Sequence, residues 1–216
     1  MPVFPSHYGW NDTAGRYINL ETGQFVKFTD IRNALELTMD AAAIRMNNLS
    51  QQLLDGNISL ANWQTSMMEQ IKIAHVAAGS AANGGWAQME QSDWGAVGQM
   101  IRKQYDHLAN FAEQIANGEQ KLDGRLLMRS DMYGDAPRGT FEQMERRSQI
   151  ENGFEEERRV LEDKTNNCDG CLEQAALEWQ PIGTLDAIGE EECGTRCRCE
   201  FNYRRVGEDG EMEISE

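Results

Sequence analysis

Apolar residues recur at intervals of three and four along three long stretches of the chain, the spacing that lines one face of an α-helix. Between Thr29 and Asp55 the stripe is Ile31, Leu35, Ala42, Met46, Leu49 and Leu53, with Thr38 or Met39 filling its one gap. Thr29 is a good N-cap, Asp30 suits a first turn, and Gly56 suits a helix end. A second helix is predicted after the N-cap Ser59, with the stripe Leu60, Trp63, Met67, Ile71, Ala74 and Ala78, broken by Gly79 and then Gly84-Gly85. The connection between these two is so short that they should lie antiparallel and adjacent. A third helix is predicted from Ser92, carrying Trp94, Val97, Ile101, Tyr105, Leu108, Ala112 and Ile115, and ending at Gly118. A weaker helical region runs from Glu119 to Gln149 through Leu122, Leu126, Met132, Tyr133 and Met144, and Pro137 interrupts it near Gly134 to Gly139.

The two ends of the chain follow another pattern. Residues 1–28 form an aromatic-rich arm: Phe4, Tyr8, Trp10, Tyr17, Phe25, Phe28. Apolar and polar residues alternate over 16–20 and 24–28 around Glu21-Thr22-Gly23, which predicts a β-hairpin. A lone hairpin is marginal in water, so it must dock on this chain or on another, and the aromatic density favours a neighbour. Residues 155–161 are expected to end in a short strand, with 157–161 antiparallel to Glu200-Phe-Asn-Tyr203, residues 170–178 are expected to make one or two helical turns, and Trp179 to Leu185 a loop. The organisation expected is an arm (1–28), a helical domain (29–153), a cysteine-rich module (154–205) and an acidic tail (206–216) expected to be disordered. The fold class is mainly α: a helical bundle with an N-terminal β-hairpin arm and a small C-terminal zinc-stapled α+β module.

Zinc enters through the cysteines. All five lie in one segment, Cys168-Asp-Gly-Cys171 and Cys193-Gly-Thr-Arg-Cys197-Arg-Cys199, and the preceding 167 residues contain none. Zn²⁺ takes four soft ligands in a tetrahedron, and a C-x-x-C turn aims two sulfurs at one point. Gly170 would let that turn curl tightly. On a strand, Cys197 and Cys199 would point to the same face, so either could be the fourth ligand. The first choice is Cys168, Cys171, Cys193 and Cys197, with Cys199 as the reserve. Disulfides, a thioredoxin-like pair and free buried thiols are the competing readings. Pairing would leave an odd cysteine, no secretion signal is readable at the N-terminus, and no βαβ unit surrounds the C-x-x-C.

Charge narrows the partners. The net charge is −16, and it is unevenly spread: residues 154–216 hold 18 acidic and 7 basic groups, giving −11. Phosphate contacts need Lys and Arg, so nucleic-acid binding by the cysteine module is not expected. No apolar run approaches the ~20 residues of a membrane span, and a soluble protein made inside the cell is expected. The three histidines, His7, His75 and His107, stand alone, and His75 and His107 border helical stripes. No H-x-E precedes the C-x-x-C as a zinc deaminase requires, and no H-E-x-x-H, G-x-G-x-x-G, G-x-x-x-x-G-K-[ST] or G-x-S-x-G is present. A four-thiolate site is closed to water and therefore structural. The expectation is a protein that is not an enzyme.

The C-terminal segment resembles a known family. Arg159-Val-Leu, Cys168-Asp-Gly-Cys171, Trp179-Gln-Pro-Ile-Gly-Thr-Leu185 and Cys197-Arg-Cys199 followed by Glu-Phe-Asn-Tyr203 look like the tail of the Mu F-like minor head, or head-morphogenesis, proteins of tailed phages and prophages. Arg16 to Val26 is similar to a hairpin found in phage virion proteins. The resemblance supports Cys168, Cys171, Cys197 and Cys199 as ligands. Family members often carry a histidine shortly before the C-R-C, where Glu190-Glu-Glu and then Cys193 stand here. It implies a virion head component, assembled in the host cytoplasm, whose partners are portal or capsid subunits or further copies of itself. The alternative function is a zinc-stapled adaptor or regulator that binds another protein.

Overall fold

A computed structural model describes residues 7–11, 13–14, 16–162, 166–206 and 212–214; Phe4, with the rest of residues 1–6, lies outside them. The chain is mainly helical, and its internal contacts fall into two compact units, residues 1–137 and 138–216.

The first unit opens with β1 (Tyr8–Asn11) and β2 (Arg16–Asn19), paired antiparallel with Trp10 opposite Tyr17. The hairpin is therefore shifted from its expected register. Residues 20–26 do fold back, with the Val26 N–H donating to the Tyr17 carbonyl at 2.8 Å and a single bridge between Ile18 and Phe25, but the main partner of β2 is the preceding segment. The aromatic pair Trp10–Tyr17, edge to face at 5.1 Å, belongs to that ladder. The arm docks on its own chain. The buried Tyr17 hydroxyl donates to the Ala81 carbonyl at 2.6 Å, and Trp10 lies against Gly84, where a Cβ would meet the indole at 2.7 Å.

Three long helices follow: α1 (Phe28–Leu54), α2 (Leu60–Ala82) and α3 (Gln91–Ala116), then α4 (Gly124–Asp135). Ser59 caps α2 by accepting the Asn62 N–H at 3.2 Å. The α3 cap is Glu90 rather than Ser92, because Glu90 and Asp93 form a reciprocal capping box. Gly79 does not end α2. The helix runs on to Ala82 and buries its last turns, with Val97 of α3 only 2.4 Å from where a Gly79 Cβ would stand. The apolar stripes converge on a core that includes Met46, Trp63, Met67, Ile71, Leu108, Phe111, Leu126 and Tyr133. A polar thread runs through it. Trp63 Nε1 donates to Ser50 Oγ at 2.9 Å, Ser50 and Ser130 hydroxyls lie 2.7 Å apart, and Ser130 Oγ donates to the Leu126 carbonyl at 2.9 Å. Every group in it is satisfied, as a buried polar chain must be.

Helices α1 and α4 touch where both side chains are small. A Cβ on Gly134 would stand 2.4 Å from the Ala43 Cβ and 3.0 Å from its Cα. Gly134→Ala is therefore expected to destabilise by about 1–3 kcal/mol, since the opposing group is tied to backbone. Gly98→Ala in α3, which meets nothing within 4 Å, should stabilise by about 0.5–1 kcal/mol. Thermal unfolding of the two variants should show opposite shifts.

The second unit contains α5 (Pro137–Glu151), β3 (Glu156–Val160), α6 (Asp169–Ala176), β4 (Gln180–Pro181), β5 (Glu200–Val206) and β6 (Met212–Ile214). Pro137 starts α5, a position where its missing N–H costs nothing. The sequence reading groups residues 138–153 with the other helices. In the structure α5 sides with the cysteine module, because Arg146 ion-pairs with Glu157 of β3 and lies over the Phe201 ring of β5. The sheet is antiparallel in the order β4-β3-β5-β6, and its central register sets Glu157 opposite Tyr203 and Arg159 opposite Phe201. The tail is not wholly without structure: Met212–Ile214 pairs with Arg204–Val206. No helix among the described residues is long and apolar enough to cross a membrane.

Candidate metal centre

Strand β3 sets the frame of the site. Alternation along it buries Glu157 and Arg159 on one side and leaves Glu156 and Arg158 half-buried on the other. On the latter side Trp179 is flanked by the guanidinium groups of Arg158 and Arg204, 4.9 and 4.5 Å from its ring centre. On the buried side Glu157 accepts N–H groups from Gly183 at 3.0 Å and Leu185 at 3.4 Å, and pairs with Arg146 Nε at 2.8 Å. Burial pushes the Glu157 carboxyl up, and Arg146 and the two N–H groups pull against that. This carboxylate holds Gly183 and Leu185 to the sheet, and the β4 pairing with the Ile182 N–H bond to the Glu155 carbonyl holds the residues before them.

The C-x-x-C opens α6. Cys168 is its N-cap, Asp169 sits in the first turn, and Cys171 is 1% exposed. Gly170 is helical and has no positive φ. A Cβ there would stand 2.0 Å from the Glu191 carboxylate, the far end of a flexible side chain that can move aside. The Gly170 N–H donates to Glu192 at 3.2 Å, which brings residues 190–193 down onto the C-x-x-C. Cys193 precedes a short 3-10 turn, Gly194–Arg196. Cys197 and Cys199 fall in irregular chain just ahead of β5, not on a strand, yet both are buried on the same side.

All five sulfurs meet around Cys171. Cys168, Cys171 and Cys193 form one trio, and Cys171, Cys197 and Cys199 another, with the sulfurs of each within 4.8 Å of one another. Cys171 Sγ lies 3.6 Å from Cys193 Sγ and 3.7 Å from Cys197 Sγ. A bonded pair would measure about 2.05 Å, and all five are free thiols. Together with Leu185, Ile188, Phe201 and Tyr203 they make up the buried core of the module. The cluster can hold a metal ion.

Its acid–base balance points the same way. The thiol of Cys199 donates to Cys197, which holds the Cys197 thiol well below the ordinary range and pushes Cys199 up. Burial pushes Cys171 and Cys193 up. Crowded thiolates repel in a poorly hydrated pocket. A cation at the centre removes that repulsion and lets several thiols ionise together.

No family model matches the chain, and neither does any curated protein or solved structure. The site thus rests on its own geometry.

That geometry unites every cysteine singled out in the sequence, and it gives Cys199 the same standing as Cys197. Three supporting side chains were not foreseen. Arg159 donates from Nη1 to Cys171 Sγ at 3.3 Å, Asn167 Oδ1 lies 3.7 Å from Cys199 Sγ, and Glu157 anchors the loop behind them. Only the two-residue alternation of β3 hinted that Glu157 and Arg159 face inward together. His75 is buried in α2, in the other unit from the cysteines.

Proposed function

We propose that the protein is a structural component of a phage head, of the minor head type, and that a single Zn²⁺ closes its C-terminal module. The observation that carries the reading is how the resembling segments fold. Arg159, the Trp179–Leu185 segment, the C-x-x-C and the C-R-C are far apart in sequence, yet they fold into one module around Cys171. Thiolates are soft ligands, which suit zinc better than harder ions. At Zn–S distances of ~2.3 Å a tetrahedron has edges of about 3.8 Å. The Cys171–Cys193 and Cys171–Cys197 separations of 3.6 and 3.7 Å support that fit.

Contacts with portal or capsid subunits would use the first unit. Leu37 and Ile44, seven residues apart on one face of α1, are 71% and 62% exposed, and Leu20 and Phe25 of the arm are exposed as well. Such a surface suits a protein that is buried in an assembly.

Two measurements test this. Metal analysis of protein purified without chelator should find about one zinc per chain, with most thiols reacting only after the metal is stripped. Few reactive thiols and no metal would replace zinc by disulfides. Heads assembled with the portal and capsid proteins encoded by the same phage should contain this chain at low copy. Heads that never incorporate it would overturn the virion reading and favour a free adaptor.

A further inference from the structure

We propose that Arg159 is the positioning residue of the metal centre: its guanidinium fork holds the Cys171 sulfur in place and ties it to the loop that encloses the ion. The inference rests on Cys171 being a metal ligand.

The argument begins with burial. Arg159 is 2% exposed. A guanidinium does not lose its proton in a protein, and a buried charge must find an opposite one. Among the described residues its polar partners are the Cys171 sulfur, 3.3 Å from Nη1, and the Asp186 carbonyl, 2.5 Å from Nη2. The Phe201 ring lies 5.5 Å from its centre and supplies a π face, not a charge. Arg159 also acts through space on the Glu191 carboxylate, and the Cys171 sulfur is the member of the cysteine cluster that it reaches by a hydrogen bond. Cys171 also belongs to both sulfur trios, so an ion held by either trio is coordinated by it.

Charge compensation completes the picture. Four thiolates around Zn²⁺ leave a net −2, and Asp169, Asp186, Glu191 and Glu192 lie in the segments that build the site. Arg159 brings a positive charge to the buried side of that cluster. Its two hydrogen bonds also join α6 to the 185–188 loop, whose Leu185 and Ile188 pack in the same core as the cysteines. Outer groups of this kind set the orientation and basicity of a ligand. The planar fork matters as much as the charge, since a lysine ammonium is a point donor.

The test compares Arg159→Met, Arg159→Lys and the control Arg158→Met, whose side chain lies on the other face of β3 beside Trp179. Each full-length variant is loaded with Co²⁺ and with Zn²⁺. Metal affinity is measured by chelator competition, and the thiolate-to-cobalt charge-transfer band is recorded. Arg159→Met should bind about 10- to 100-fold more weakly, and its band should move to lower energy because the sulfur has lost an N–H donor. Arg159→Lys should fall between, and Arg158→Met should match the parent. An unchanged affinity and band in Arg159→Met would overturn the proposal while leaving the metal site intact. Weaker binding with an unmoved band would also overturn it, assigning Arg159 to folding alone. A parent protein that takes up neither metal would overturn the metal reading beneath it. Should Arg159→Met fail to fold, the lysine variant decides: a band at the parent position, with parent affinity, refutes the role of the fork.

Discussion

Chelation under reducing conditions is expected to unfold the cysteine module, and added zinc to restore it. The reason lies in the size of its core. Apart from the cysteines, the buried apolar side chains of that cluster are Leu185, Ile188, Phe201 and Tyr203, and α5 adds Phe141 and Met144, a small core against the ordering of a unit that spans residues 138–216. Its buried charges add to the cost, since Glu157 and Arg159 must be desolvated to build the sheet. A structural zinc supplies on the order of 10 kcal/mol or more at neutral pH, larger than the whole stability of most small domains. Hydrogen exchange is the direct measurement. After chelation the amides of β3 and β5 should lose protection, while those of α1 to α3 keep theirs. Cys171→Ser should reproduce the effect, because both trios pass through that sulfur. Cys168→Ser and Cys199→Ser should each do less, since either leaves one complete trio. Protection that survives metal removal would show that β3 and β5 hold together through packing and the Arg146–Glu157 pair.

The contrast between the two units explains what could be read from sequence. Helical stripes are repetitive signals, and Ile31 to Leu53 or Trp63 to Ala74 state their buried face many times over. Helix α1 therefore begins one residue before the expected Thr29, although its cap is Lys27 and not Thr29. Single-residue signals misled, because their meaning depends on partners far along the chain. Gly79 looks like a break and is a contact with Val97; Gly170 looks like a turn and lies in the first turn of a helix. The hairpin at Glu21–Gly23 had the right turn, but the choice of strand partner was settled by Trp10 packing on Tyr17, a contact that no local pattern announces. The same holds at the metal centre. Cysteines are visible because few other roles gather five of them together. Arg159 stood out only as part of a resembling segment, and its contact with Cys171 depends on a fold that no local pattern states.

Acidification should destabilise the helical unit through a single side chain, His75. It is 1% exposed in the second half of α2, and burial lowers its pKa from 6.5 to about 4. The folded state therefore keeps His75 neutral where the unfolded chain binds a proton. Stability from this group is complete above pH 6.5, falls as the pH drops from 6.5 toward 4, and levels off below. A shift of this size corresponds to about 3 kcal/mol in full, and roughly 2 kcal/mol is already lost at pH 5. His75→Leu fills a similar volume and has no proton to bind. Its loss of stability between pH 7 and pH 5 should be smaller than the parent's by roughly that amount. The quantity to compare is the opening free energy of α2 amides, from native-state hydrogen exchange at the two pH values, because it isolates this unit from acid release of metal by the thiolates. Equal losses in the two proteins would mean that carboxylates drive the acid transition and that His75 is protonated in the folded state without penalty. A loss confined to the parent would make neutral His75 a condition of packing the last turns of α2, the same turns whose Ala81 carbonyl receives the Tyr17 hydroxyl and anchors the arm.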